Sequence, residues 1–164
     1  MTKDLPRVVV DTCVLLDFLV GTDVELQKRA RSILEGHRKK HVVVLPAIVV
    51  AELPGSGAIR GDDGGPTERQ ARIDVALRWL GSSSFIVAEL SEDLARYAAN
   101  LATVHNLKGS DASVLATALR WSATLYTRDN GLLKVSLSDL AILAPPESDD
   151  DFALFTSSGA IPEC

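Results

Sequence analysis

Short runs of β-branched and aliphatic residues alternate along this chain with segments that repeat apolar residues at helical spacing. Four runs are evident and a fifth is weaker, at residues 7–10, 42–45, 85–88, 124–127 and 140–143. Because parallel strands need a long crossover connection, the helical segments between the runs predict parallel pairing with right-handed crossovers. The pattern predicts an α/β fold: a three-layer α/β/α sandwich with a central parallel sheet of four to five strands.

The segments between the strands predict both helices and one long loop. Predicted helices cover residues 12–20, 26–34, 46–53, 73–80, 91–102 and 110–121. Residues 54–66 are rich in glycine and proline and predict a flexible loop. Aromatic residues make up only 5% of the chain, so the core between these elements is expected to be aliphatic.

The length of 164 residues favours one domain. The net charge of −5 is concentrated near the end, because residues 145–164 hold five acids and no lysine or arginine, whereas residues 1–144 hold 17 of each sign. We therefore predict a domain over residues 1–145 and an acidic, flexible tail over residues 146–164. Six basic residues between 28 and 40 admit a polyanionic partner, although a solvated helix face is the simpler interpretation.

Several classes of protein are disfavoured by what the sequence lacks. The longest apolar run, residues 42–51, is too short to cross a bilayer. The first residues contain no apolar segment of the kind found in a signal peptide. The two cysteines, Cys13 and Cys164, form neither a disulfide framework nor a metal-binding spacing. These observations predict a cytoplasmic, reduced protein with no membrane association.

Four acidic residues stand where an open parallel sheet binds ligands, beyond the carboxyl ends of its strands. Asp11 directly follows the first predicted strand, and Asp129 lies two residues after the fourth. Asp111 opens a predicted helix, and Glu52 lies near the end of an otherwise apolar one. Four carboxylates at one edge would repel one another unless cations were bound. The pattern predicts a site with oxygen ligands, suited to Mg²⁺ or Mn²⁺.

Each of these acids also has a simpler structural explanation. Asp11 and Asp111 suit helix caps or first helical turns. Asp129 lies in a favourable turn sequence, residues 128–131. Glu52 could face solvent from one side of its helix, although an acid in so apolar a segment is hard to explain without a partner.

Other chemically capable residues receive structural interpretations. His37 and His41 have i,i+4 spacing without an intervening ligand motif, and we interpret them as surface residues rather than a zinc site. Asp17 is interpreted as part of a solvated helix face, with a place beside the acids as the alternative. Cys13 is interpreted as a small core residue. No protein nucleophile is needed if bound divalent metals assist phosphodiester hydrolysis.

Four segments of the sequence resemble the PIN domain family. Residues 8–12 are similar to its opening strand, and residues 46–53 to its second acidic element. Residues 109–112 and 125–129 are similar to the third and fourth elements. The resemblance extends over roughly residues 7–145 and is greatest, by size, to the VapC-like toxins of bacterial toxin–antitoxin modules.

The resemblance implies a Mg²⁺- or Mn²⁺-dependent endoribonuclease that acts on RNA, forms a homodimer and is restrained by a small antitoxin. Carried over residue by residue, it implies four catalytic and metal-holding acids: Asp11, Glu52, Asp111 and Asp129. Thr12 and Thr127 match the hydroxyl positions that accompany the first and last acids. Cys13 departs from the family, where Asn or Ser is frequent. The surplus of apolar residues between 15 and 20 independently predicts an interface.

Other functions stay open at this point. A housekeeping PIN nuclease in RNA processing, or a structure-specific nuclease acting on DNA, would use the same acids. A PIN-like interaction module with little catalysis would be expected to have lost some of them, and all four are present. A receiver-like phosphotransfer domain would need an acidic pair before its strand-terminal aspartate, which this chain lacks.

Overall fold

The computed structural model of the protein describes residues 5–61 and 64–147. Its strands are β1 (Arg7–Val10), β2 (Val42–Pro46), β3 (Ile86–Ala88), β4 (Thr124–Tyr126) and β5 (Ile142–Leu143). They form one sheet in the order β3-β2-β1-β4-β5, and every pair of neighbours is parallel. The predicted sheet is confirmed, including its weak fifth strand.

Eight helices occupy the described part of the chain. They are α1 (Thr12–Val20), α2 (Val24–Glu35), α3 (Ala47–Gly55), α4 (Gly57–Arg60), α5 (Pro66–Ser82), α6 (Glu92–His105), α7 (Gly109–Arg120) and α8 (Asn130–Leu133). Right-handed crossovers place α1 to α5 on one face of the sheet and α6 and α7 on the other, which confirms the α/β/α sandwich. None of the helices in these residues is long and apolar enough to cross a membrane.

The order of the strands reverses between β1 and β4. The chain proceeds from β1 through β2 to β3, and then returns to place β4 on the free side of β1. At such a reversal the neighbouring connections leave towards opposite faces, which opens a crevice at the carboxyl ends of the two strands. Asp11 and Thr127 directly follow β1 and β4, so both lie at this crevice.

The core is aliphatic, as the low aromatic content predicts. Val8, Val9 and Val10 of β1 are all buried, because β1 is the central strand and helices cover both of its faces. Residues 112–118 of α7 are also buried without interruption, since α7 packs on β1, β2 and β4 and is covered by α6. This central position fixes the start of α7 relative to the crevice.

The prediction of a flexible loop over residues 54–66 is wrong in part. α3 continues through Pro54 to Gly55, and α4 follows after a single residue. Ser56 caps α4 by accepting a hydrogen bond from the backbone N–H of Ile59 at 3.3 Å. Ile59 itself is buried, and α4 packs against α1, α3 and α5. These contacts order a segment whose glycines and prolines favour a loop.

The prediction that both histidines lie on the surface is wrong for His41, which is fully buried. Its Nε2 donates a hydrogen bond to the carbonyl of Ile33 at 2.6 Å. Gly36 makes room for the ring, because a Cβ there would lie 2.5 Å from Cε1 of His41. His37 is half-buried, and its Nδ1 accepts a hydrogen bond from the backbone N–H of Val43 at 2.9 Å. Burial lowers the pKa of both imidazoles. Because both rings form hydrogen bonds with backbone groups, we interpret both histidines as structural.

The predicted acidic tail, residues 146–164, lies almost entirely outside the described residues. The division at residue 145 and the flexibility of the tail therefore stay predictions.

Candidate active site

Asp11 lies between β1 and α1 and is 7% exposed. One carboxylate oxygen, Oδ1, caps α1 by accepting a hydrogen bond from the backbone N–H of Thr12 at 2.7 Å. The other, Oδ2, accepts a hydrogen bond from the hydroxyl of Thr127 at 2.7 Å. The helix cap is therefore present, but it accounts for only one of the two oxygens. The second oxygen is tied to the neighbouring strand.

Thr127 joins the first and last of the predicted acids. Its fully buried hydroxyl donates to Asp11 and accepts a hydrogen bond from the backbone N–H of Asp129 at 2.9 Å. The side chain of Asp129 caps α8, because its Oδ1 accepts hydrogen bonds from the backbone N–H groups of Gly131 and Leu132. A single hydroxyl thus links the two segments that carry Asp11 and Asp129.

Glu52 reaches the same edge of the sheet from α3, which follows the neighbouring strand β2. Its side chain is half-buried, and Oε2 accepts a hydrogen bond from the hydroxyl of Thr12 at 2.7 Å. Glu52 therefore has the partner that an acid in an apolar helix requires. An open cavity of about 390 Å³ lies beside it, lined by Thr12, Glu52, Gly55 and Ser56.

Asp111 lies in the first turn of α7 and is half-buried. Burial raises its pKa, and the negative charges of the other three predicted acids raise it further. The positive charge of the Lys108 ammonium lowers the pKa of Asp111. All four predicted acids therefore contribute to one electrostatic environment, as expected if they share the carboxyl edge of the sheet.

Burial also raises the pKa of Asp11, and the charge of Glu52 adds to this effect. Hydrogen bonds from Thr127, Thr12 and Cys13 act against it, because they stabilise the ionised carboxylate. Like charges held in a partly desolvated crevice make a cation favourable there.

The chemistry of these donors fits Mg²⁺ or Mn²⁺, which prefer carboxylate, hydroxyl and water oxygens. Across residues 5–61 and 64–147, no three His, Cys, Asp or Glu side chains form a group close enough to enclose a metal ion. Mg²⁺ usually keeps several waters and binds through one or two carboxylates. Separated carboxylates therefore suit such an ion better than Zn²⁺, which takes a closed set of nitrogen and sulfur ligands.

The sequence analysis missed one pair of residues beside the acids. Asp17, interpreted as solvated, is 6% exposed. The guanidinium of Arg128 donates hydrogen bonds to both of its carboxylate oxygens, each at 2.6 Å. The sequence feature that could have identified this pair is the presence of an acid within the apolar stretch 12–20, because a buried acid needs a partner.

Cys13 is half-buried, as its interpretation as a small packing residue requires. Burial, with a contribution from the charge of Asp11, raises the pKa of its thiol to about 12. The thiol is therefore protonated at neutral pH and is a poor nucleophile.

Much of the basic segment at residues 28–40 is paired with acids. Three of its members form ion pairs: Lys28 with Glu25, Arg29 with Glu147 and Arg31 with Glu35. This pairing favours the solvated-surface interpretation over a dedicated binding face for a polyanion.

Together these features define an α/β domain with an acidic crevice at the switch point of its sheet. The family model of the PIN domain matches residues 8–137, and the chain belongs to this family. The matched residues contain all four predicted acids and both accompanying threonines.

Several solved structures share the fold. A chain of a toxin–antitoxin complex from Klebsiella pneumoniae has a TM-score of 0.59 and 22% identity, over 86% of this chain and 99% of that one. FitAcB from Neisseria gonorrhoeae has a TM-score of 0.58 and 24% identity, over 84% and 97%. VapC20 from Mycobacterium tuberculosis, a sarcin–ricin loop cleaving toxin, has a TM-score of 0.59 and 17% identity, over 75% and 90%. No curated protein matches the sequence. The resemblance to VapC-like toxins is confirmed for the fold.

Proposed function

We propose that this chain is a divalent-metal-dependent endoribonuclease and the toxin of a toxin–antitoxin pair. The observation that carries the proposal is the hydrogen-bonded arrangement of acids at the crevice. The hydroxyl of Thr127 joins Asp11 to the backbone of Asp129, and the hydroxyl of Thr12 donates to Glu52. Membership of the PIN domain family supports it. Similarity in fold to VapC20, a sarcin–ricin loop cleaving toxin, favours RNA as the substrate.

In this proposal Asp11, Glu52, Asp111 and Asp129 would hold Mg²⁺ or Mn²⁺, with one or two of the carboxylates in direct contact and the others acting through bound water. The cation, when bound, neutralises charge on the scissile phosphate and activates water for attack. The protein contributes orientation, because Thr127 fixes the carboxylate of Asp11 and Thr12 fixes that of Glu52. Burial of these hydrogen bonds keeps the carboxylates in place before a substrate arrives.

Neither Cys13 nor any other side chain is assigned the role of nucleophile. Because water attacks in place of the ribose 2′-hydroxyl, we expect products with 5′-phosphate and 3′-hydroxyl ends. Products with 2′,3′-cyclic phosphate ends would contradict this part of the proposal.

The test is cleavage of total bacterial RNA by the purified chain, in Mn²⁺ and in EDTA, with the new 5′ ends mapped by sequencing. We expect cleavage in Mn²⁺ alone and none by Asp11→Asn. Asp93→Asn is the matched control, because it makes the same change at an exposed acid in the first turn of α6. Cleavage that persists in EDTA, or in Asp11→Asn, would refute the proposal. Cleavage of DNA and not of RNA would favour the structure-specific alternative.

An apolar groove supports the antitoxin part of the proposal. A cavity of about 300 Å³ lies between the end of α1, α4 and α5, lined by Leu19, Val20, Ile59, Ala71, Arg72, Val75 and Ala76. Val75 is 56% exposed and Val20 is 43% exposed. Of the apolar surplus predicted at residues 15–20, Val20 is the part left exposed, since the other side chains pack in the core.

We propose that an apolar segment of the antitoxin covers this groove. Val75→Glu should then weaken co-purification with the product of an adjacent small gene, whereas Val104→Glu on α6, at a residue that is 67% exposed, should not. Equal co-purification of both variants would refute this assignment. If no small gene lies next to the gene that encodes this chain, the alternative of a housekeeping nuclease would be favoured.

A homodimer and a cytoplasmic location complete the proposal. Light scattering at high protein concentration measures the first, and a strictly monomeric protein would contradict it. Fractionation of cells measures the second.

A further inference from the structure

We propose that Asp17 and Arg128 form a clamp that positions Asp129 against Asp11. Arg128 is then a positioning residue of the active site, although it is not one of the acids. The inference rests on the proposed function, because it takes Asp11 and Asp129 as acids that hold the divalent cation.

The contact between Asp17 and Arg128 fixes the orientation of the guanidinium as well as its position. Nε and Nη2 of Arg128 each donate to a different carboxylate oxygen of Asp17, both at 2.6 Å. The side chain of Asp17 is 9% exposed. A planar guanidinium bound at two points to a buried carboxylate has a fixed direction as well as a fixed distance. The exposed pair of Arg96 and Glu92, also at 2.6 Å, has both side chains more than three-quarters exposed.

The clamp acts on a very short linker. Residues 127–129 connect β4 to α8, and each flanking residue belongs to the site. The backbone N–H of Arg128 also donates to Sγ of Cys13 at 3.3 Å. Both contacts of Arg128 therefore reach α1, the helix that Asp11 caps, and a shift of Arg128 must move Thr127 and Asp129 with it.

Asp129 needs such support because the element after it is weak. α8 has four residues, and so short a helix depends on tertiary contacts rather than on its own hydrogen bonds. Its one buried residue is Leu132. Arg128 precedes Asp129, on the side where the chain leaves β4, and there it provides the contact with α1.

A simpler role for the pair is neutralisation of a buried charge, and two variants separate the roles. Arg128→Lys keeps the positive charge but replaces the planar fork by a single ammonium. The double variant Asp17→Asn with Arg128→Gln removes both charges and keeps polar side chains. Neither variant leaves a buried charge without its opposite, so both are expected to fold. Charge neutralisation alone predicts that both behave as the wild type.

The experiment measures Mn²⁺ affinity by titration calorimetry, and kcat and KM on a labelled RNA oligonucleotide that carries a mapped cleavage site. Both variants should lose about 10- to 100-fold in Mn²⁺ affinity and in kcat, as expected for a residue that orients a metal ligand, with KM for RNA unchanged. Arg96→Lys is the matched control and should retain the wild-type values.

Wild-type Mn²⁺ affinity and kcat in both variants would overturn the clamp. If the wild type binds Mn²⁺ but cleaves no RNA, the proposed function fails, while the calorimetry still decides the clamp. A wild type that binds no Mn²⁺ overturns both.

Discussion

Replacement of Thr127 by valine removes one hydroxyl from the buried link between Asp11 and Asp129. The hydroxyl donates to the Asp11 carboxylate at 2.7 Å and accepts from the backbone N–H of Asp129 at 2.9 Å. Valine has nearly the same shape, so the change removes hydrogen bonds without opening a cavity. A hydrogen bond to a charged group contributes about 1.5–3 kcal/mol and a neutral one about 0.5–1.5 kcal/mol. We therefore expect the free energy of unfolding to fall by about 2–4.5 kcal/mol.

The same substitution should weaken metal binding. The hydrogen bond from Thr127 holds the carboxylate of Asp11 in one orientation, so its loss leaves this proposed metal ligand less well positioned. Affinity for Mn²⁺ should fall by about 10- to 100-fold. Urea unfolding with and without Mn²⁺ measures both effects, because a ligand that binds only the folded state stabilises it by RT ln(1 + [L]/Kd).

Thr127→Ser is the matched control, since it keeps the hydroxyl and removes a methyl group. It should retain most of the Mn²⁺ stabilisation. The reasoning is refuted if Thr127→Val is as stable as Thr127→Ser and gains as much stability from Mn²⁺.

Three further predictions concern stability. In EDTA, Asp11→Asn should melt close to the wild type, because relief of the buried charge is offset by loss of the charge-assisted hydrogen bond from Thr127. Mn²⁺ should raise the melting temperature of the wild type alone, and equal responses to Mn²⁺ would contradict this. Burial lowers the pKa of His41 from 6.5, so the unfolded chain binds a proton at a higher pH than the folded chain does. The free energy of unfolding should therefore decline as the pH falls below 6.5. Urea unfolding should show a smaller decline for His41→Gln, and an identical decline would exclude His41 as the cause. Gly36→Ala should lower the melting temperature, because its Cβ would lie 2.5 Å from Cε1 of His41. Gly81→Ala, whose Cβ meets nothing within 4 Å, should instead raise the free energy of unfolding by up to about 1 kcal/mol. If Gly36→Ala were the more stable of the two variants, the packing described here would be contradicted.

The strands, and the positions of the acids relative to them, were predictable because their signals are local. Strands of a parallel sheet are buried on both faces and read as continuous apolar runs, as β1 and β2 do. The position of Asp11 directly after such a run predicts its place at the carboxyl edge. Even the weak run at residues 140–143 contains β5.

The errors concern contacts that the neighbouring residues in the sequence do not identify. Asp17 and Arg128 are 111 residues apart, and nothing in either neighbourhood identifies the other as its partner. His41 looks solvated beside Lys39 and Lys40, yet its ring packs into the space left by Gly36. In each case the burial of a polar side chain depends on a partner that its own neighbourhood does not reveal.

The most direct test of the central claim is the position of Mn²⁺ in crystals of the protein, located by its anomalous scattering. The claim predicts an anomalous peak at the carboxyl ends of β1 and β4, in contact with Asp11 and at least one other of the four acids. In crystals of Asp11→Asn the peak should be lost or much weaker. Mn²⁺ bound only elsewhere, or no peak at saturating Mn²⁺, would contradict the account.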